Sequence, residues 1–180
     1  MTAVATMPET RGKLTEGAAL APLVWFKSGG AAEWLFEPRD IDDLQQFLRD
    51  LDPAIAVWPL GLGSNLIIRD GGIRGVVIRL GKAFSGNEAD GLTLCCGAGA
   101  PGISAASKAR DHGIAGMEFL RGIPGTIGGA VRMNAGAYGR EVCDILQSAD
   151  VILRNGDLVT IPLAEMGYSY RHSALPEGAI

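Results

Sequence analysis

Histidine and cysteine are scarce: two and three residues respectively in a chain of 180. No C-x-x-C pair occurs, so no zinc site and no other metal centre is expected. Cys95 and Cys96 are adjacent in an apolar run and Cys143 stands alone. Neighbouring strand residues point to opposite faces, which argues against a Cys95–Cys96 bridge and predicts reduced, buried thiols. A basic cluster is missing too. Lys plus Arg number 16 against 20 Asp plus Glu, a net charge of −4, which argues against a phosphate-neutralising nucleic-acid surface. No apolar run approaches the roughly 20 residues of a membrane-spanning helix. The start, MTAVATMPETRGK, lacks the apolar core of a signal peptide. A cytoplasmic protein with no membrane or nucleic-acid partner is expected, its oligomeric state open.

Glycine is what the chain has in excess, 26 residues, about twice average usage. They are not in low-complexity repeats, so loops of special backbone geometry are expected. The densest stretch is Gly116–Gly139, GMEFLRGIPGTIGGAVRMNAGAYG, with almost no bulky side chain beyond its start. Such a segment is either a connector between layers or a place where a flat or charged ligand approaches main-chain N–H groups. A second bare segment, Gly61-Leu62-Gly63-Ser64-Asn65, follows the apolar run Ile55–Leu60. Leu66–Arg69 after it reads as a strand, and no third glycine is suitably placed. Both points disfavour the dinucleotide fingerprint in which G-x-G-x-x-G opens a helix. A strand-flanked G-x-G-S-N loop is instead either a tight turn or a set of N–H, hydroxyl and amide groups presented to an anion such as a pyrophosphate.

The remaining elements follow from periodicity. Ile41, Leu44, Phe47, Leu48 and Leu51 fall on one helical face, with Asp40 as N-cap and Pro53 as stop. Strands are expected at Ala32–Phe36, Gly75–Leu80 and Gly91–Gly97. A second helix spans Gly102–Asp111, and a hairpin turns about Asn155-Gly156. Phe84–Asp90 reads as a polar connection between lobes. The expected organisation is a flexible tail over residues 1–20, one lobe over 21–84 and a second over 85–180. An apolar residue, Ile180, opens what reads as a further strand where the sequence stops, so a longer protein is expected.

Two glycine-rich loops from different halves of the chain predict an α+β fold with an extended anionic ligand across a cleft. FAD meets that demand: its pyrophosphate needs N–H donors and its flat ring needs small residues beneath it. The segments GLGSNLIIRDGGIRGVVIRL, GMEFLRGIPGTIGGAVRMNAGAYG and YSYRHS resemble the flavin-binding part of the UDP-N-acetylenolpyruvoylglucosamine reductases, over about Phe26 to Pro176. The resemblance implies the two-lobed FAD-binding fold of vanillyl-alcohol oxidase relatives, non-covalent FAD, NADPH as co-substrate and a UDP-sugar substrate. Its enolpyruvyl group would be reduced to give UDP-N-acetylmuramate for peptidoglycan.

By the same resemblance Gly61, Gly63, Ser64, Asn65 and Leu66 would hold the FAD pyrophosphate. Ile123, Pro124, Gly125, Thr126, Gly128 and Gly129 would line the flavin and its ribityl chain, and Asn134, Gly136 and Ala137 would complete the wall. Tyr138 and Tyr170 would be near the substrate, and Arg171 would be the catalytic arginine. A guanidinium suits that task, pairing with the enolpyruvyl carboxylate and stabilising the enolate. The family's serine proton donor and its glutamate belong to a third, substrate-binding region that this sequence does not contain. FAD binding without turnover is therefore expected of these 180 residues. Glu118 and Arg121 are expected to pair with each other or with nearby backbone. Another FAD-linked oxidase of the same fold and a non-catalytic FAD-binding module stand as alternatives.

Overall fold

The computed structural model describes residues 7–180. The first six residues of the expected tail lie outside the described residues. From Lys13 the chain departs from that expectation, because β1 (Lys13–Ala19) pairs antiparallel with β2 (Ala31–Glu37). Then come α1 (Ile41–Asp50), β3 (Val57–Leu60) and β4 (Ile73–Arg79). Strands β2 and β3 both lie parallel to β4, giving a four-stranded sheet in the order β1-β2-β4-β3.

Both faces of this sheet are covered, and the side-chain alternation of a strand decides which residue goes where. Phe36, Val76 and Ile78 point to one face and meet Leu44, Phe47, Leu48 and Leu51 of α1. Phe36 and Phe47 stack there with ring centroids 4.1 Å apart. Leu35 and Val77 point to the other face, against Leu20, Val24, Leu60 and Ile68. Helix α1 begins as expected, with Asp40 Oδ1 accepting from the Asp43 amide at 2.9 Å. Asp43 is buried and ties the N-terminal segment down: its carboxylate accepts from the amides of Arg11 (2.8 Å) and Arg39 (2.9 Å) and from the Thr10 hydroxyl. Burial raises the Asp43 pKa, but these hydrogen bonds outweigh it and hold the carboxyl below its ordinary value.

The second half contains β5 (Asn87–Asp90) and β6 (Thr93–Cys96), a hairpin, then α2 (Gly102–Asp111) and α3 (Ile127–Arg132). Two more hairpins follow, β7 (Gly136–Ala137) with β8 (Arg140–Glu141) and β9 (Ser148–Ile152) with β10 (Leu158–Pro162). Phe119, Leu120, Ala130, Val131 and Val142 form its core with Ala106 of α2. The Asn155-Gly156 turn docks on α1, where Gln45 Nε2 donates to Gly156 O at 2.8 Å. Arg154 reaches the carbonyls of Leu48, Asp52 and Ile55, and Ile152 enters the core of the first half.

Three local expectations are corrected. Residues 66–69 are loop rather than strand: Ile68 alone is buried, while Ile67 is 73% exposed, so the apolar run lacks the alternation a half-buried strand needs. The stretch before Asp90 holds β5 instead of a bare connection. Cys95 is exposed and Cys96 and Cys143 are only partly buried, although all three are free as expected.

Candidate FAD cradle and arginine cluster

The loop after β3 and the loop before α3 meet face to face. Ser64 Oγ donates to Pro124 O at 2.9 Å, across 60 positions of sequence. The missing side chains at Gly61 and Gly125 permit this approach. A Cβ at Gly61 would lie 2.7 Å from Thr126 Oγ1, and one at Gly125 would lie 3.2 Å from Ser64 Oγ. Gly125 also has φ of 138°, outside the range of ordinary side-chain-bearing residues. Gly63 is spent on support beneath the loop: its carbonyl accepts from the Trp25 amide at 3.1 Å, and it packs on Val24.

Where the backbone donors go separates the residues further. Among the described residues, no protein acceptor lies within hydrogen-bond geometry of the amides of Leu62, Gly63, Ser64, Asn65, Leu66, Gly125 or Thr126. The start of α3, by contrast, is internally satisfied. Ile127 N donates to Ala100 O and Gly128 N to Ala98 O, both at 2.8 Å. Gly129 N donates to the Thr126 side chain, the N-cap. Gly128 and Gly129 thus seat α3 against the Ala98–Ala100 backbone. Ile123 and Pro124 lead into the turn, with the Ile123 amide donating to Leu120 O. A run of donors on one loop, two more on the loop it touches and bare backbone between them are the groups that a pyrophosphate with a flat ring beside it would need. Those are the parts of FAD.

A second cluster is built by the β7–β8 hairpin and the segment that crosses it. Arg171 Nη1 donates to Glu141 Oε1 and to Asn134 O, each at 3.1 Å, and Nη2 donates to Gly136 O at 3.0 Å. The guanidinium also lies 4.7 Å from the centre of the Tyr170 ring. Asn134 is almost fully buried and saturated: its amide group donates to Glu141 Oε2 (2.9 Å) and Ser169 O, and Oδ1 accepts from the Cys143 amide. It ties the cluster together, and its side chain has no donor left for a ligand. Ala137 pairs with Arg140 across the hairpin, and Tyr138 at its tip is 86% exposed with its ring over Gly122.

Asn134, Tyr138 and Arg171 have φ of 42°, 55° and 54°. Left-handed backbone at a non-glycine residue costs on the order of 1 kcal/mol or more and concentrates at functional sites. Of four such residues among those described, three are here. Arg171 occupies the third position of a turn closed by His172 N donating to Ser169 O, where glycine or asparagine is favoured. Glu141 was not singled out from the sequence, yet it is the acidic centre of the cluster. The signal was hairpin arithmetic: a two-residue turn at Tyr138-Gly139 sets Glu141 opposite Gly136. Glu118 and Arg121 do not pair with each other. Glu118 accepts from the Gly116 amide, and Arg121 Nη1 reaches Ser107 Oγ.

The FAD binding domain family matches residues 32–162, and the chain belongs to that family. More particularly, it is 69% identical over its whole length to the UDP-N-acetylenolpyruvoylglucosamine reductase of Sphingopyxis alaskensis and 67% identical, over 97% of its length, to that of Rhizorhabdus wittichii. It spans 60% and 58% of those relatives. The solved UDP-N-acetylenolpyruvylglucosamine reductase of Thermus caldophilus superposes with a TM-score of 0.80 at 32% identity, over 96% of this chain and 60% of that one. The 6-hydroxy-D-nicotine oxidase of Arthrobacter nicotinovorans shares the fold, with a TM-score of 0.66 at 16% identity over 87% of this chain and 37% of that one. The α+β FAD-binding fold of the vanillyl-alcohol oxidase type expected from the sequence is borne out.

Proposed function

We propose that this chain is the FAD-binding part of an NADPH-dependent reductase that converts UDP-N-acetylglucosamine enolpyruvate to UDP-N-acetylmuramate for peptidoglycan. The observation that carries the reading is the contact of two bare loops through Ser64 and Pro124, with free amides on both sides of it. High identity to proteins bearing the reductase name supports it. Bound FAD would supply the redox chemistry, accepting two electrons from NADPH and passing them to the enolpyruvyl double bond.

The protein's own groups bind, orient and polarise. The amides of Leu62–Leu66, with the Asn65 side chain, hold the pyrophosphate, and those of Gly125 and Thr126 meet the same ligand from the other side. Gly61 and Pro124 keep the loops together, while Ile123, Gly136 and Ala137 bound the space for the ring. Gly128 and Gly129 act indirectly by seating α3. Arg171 has three donor hydrogens committed to Glu141, Asn134 and Gly136. Of its five donors, Nε–H and one Nη2–H remain for the enolpyruvyl carboxylate, where a fixed cation stabilises the charge that reduction develops. Tyr138 and Tyr170, both exposed, contact the UDP-sugar. With NADPH and a nucleotide sugar as its substrates, the reaction belongs in the cytoplasm.

The test is spectroscopic. The full-length protein should purify yellow, bleach with NADPH and regain colour on addition of the UDP-enolpyruvyl sugar, and acid precipitation should release all the flavin. A colourless protein that takes up no added FAD would overturn the reading. Flavin retained in the acid pellet would favour a covalent oxidase instead.

A further inference from the structure

We propose that Glu141 is a positioning residue that fixes the Arg171 guanidinium for the carboxylate it meets. The inference rests on the functional reading above, in which Arg171 acts on the substrate. Arginine is a long side chain with many rotamers, and its use as a bidentate clamp requires most of them to be removed before substrate arrives. Here the removal is traceable. Glu141 Oε1 takes Nη1 at 3.1 Å, Asn134 O takes the same nitrogen, and Gly136 O takes Nη2. The two carbonyls are neutral acceptors, and among the described residues Glu141 supplies the only charged partner.

Glu141 is itself held from several directions. Its backbone is paired with Gly136 in the β7–β8 hairpin. Its amide donates to Asp144 Oδ2 at 2.9 Å, and its side chain accepts in return from the Asp144 amide. Its second oxygen accepts from Asn134 Nδ2 at 2.9 Å. Glu141 therefore joins the hairpin, the buried Asn134 and the Arg171 turn into one unit. A carboxylate whose job was only to balance surface charge would not need its acceptor positions filled this completely. The left-handed backbone at Arg171 points the same way, since the turn is held in a geometry its residue type disfavours.

The experiment uses the full-length protein loaded with FAD, and stopped-flow spectroscopy separates flavin reduction by NADPH from reoxidation by the UDP-enolpyruvyl sugar. Glu141→Ala should slow reoxidation about 100-fold, the order expected when a reacting group is misplaced by about 1 Å. Glu141→Gln keeps one acceptor oxygen and should slow it about 10-fold, while reduction by NADPH and flavin content stay near wild type. In an Arg171→Ala background, Glu141→Ala should add no further loss, because the group it positions is gone. Slowing of both half-reactions alike, or losses that multiply in the double variant, would overturn the proposal and leave Glu141 a structural residue. Should Glu141→Ala fail to fold, Glu141→Gln alone carries the same comparison. A wild-type protein that binds FAD and is not reoxidised by the sugar overturns the functional reading, and this proposal with it.

Discussion

Replacing Gly61 by alanine tests the contact between the two loops at its narrowest point. The added methyl carbon would sit 2.7 Å from Thr126 Oγ1 and 3.2 Å from Thr126 Cγ2. Thr126 is buried and its hydroxyl caps α3 through the Gly129 amide, so it has no easy retreat. Either the loops separate, breaking the Ser64–Pro124 bond, or Thr126 rotates and surrenders the cap. Forcing a methyl group into a packed position costs about 1–3 kcal/mol, and loss of an N-cap costs about 1 kcal/mol. Charged to the arrangement that binds FAD, a cost of 1–3 kcal/mol corresponds to affinity weakened about 5- to 150-fold. Gly71→Ala is the control. That glycine has no atom within 4 Å of the added carbon and needs no positive φ, so the substitution should change stability by less than about 0.5 kcal/mol. FAD titration followed by quenching of flavin fluorescence, paired with urea unfolding of each variant, measures both quantities. Wild-type affinity in Gly61→Ala, or an equal loss in Gly71→Ala, would refute the reasoning.

Asp43→Asn should destabilise the protein by about 1–3 kcal/mol, since hydrogen bonds to a charged acceptor are lost or weakened. Because the folded pKa lies below the ordinary 3.8, the wild-type carboxylate's stabilisation is present above about pH 4 and declines as pH falls below it. Urea midpoints between pH 7 and pH 3 should show a steeper decline in wild type than in the variant, the difference being the share of Asp43. The Tyr168 hydroxyl is buried without a partner among the described residues, and burial, then the nearby Cys143, pushes its pKa up to about 12. Tyr168→Phe should accordingly leave thermal stability unchanged or raise it by up to about 1 kcal/mol; a clear drop in melting temperature would reveal a missed partner. Burial, then Cys95, pushes the Cys96 thiol up to about 11, so iodoacetamide at pH 8 should modify the exposed Cys95 first, as read by peptide mass spectrometry. Earlier modification of Cys96 would contradict the burial described for it.

Local signals made part of this molecule readable. Helix α1 announced itself through one apolar face, an Asp40 cap and Pro53, and Asn155-Gly156 announced its hairpin. What failed to show was structure supplied by partners. Strand β1 carries little periodicity and exists because β2 offers an edge and Asp43 anchors the residues before it. The polar strand β5 is imposed by β6 in the same way. Residues 66–69 misled in the opposite direction, since their apolar content serves a loop in which Ile68 alone is buried. At the site, glycine density pointed to both loops, because a bare backbone is visible in composition. It did not separate Gly61 and Gly125, where the loops touch, from Gly128, which packs against Ala98. Asn134 looked like part of a ligand wall, and its saturation by Glu141, Ser169 and Cys143 depends on contacts no spacing rule reveals.

The most direct test of the account follows backbone amide resonances by NMR while FAD is added to the ¹⁵N-labelled protein. The signals of Leu62–Leu66 and of Gly125 and Thr126 should shift together, with a single affinity and saturation at one FAD per chain, while those of Ile127 and Gly128 move little. Shifts confined to one loop, or shifts absent from both, would contradict the claim that the two bare segments hold one ligand between them.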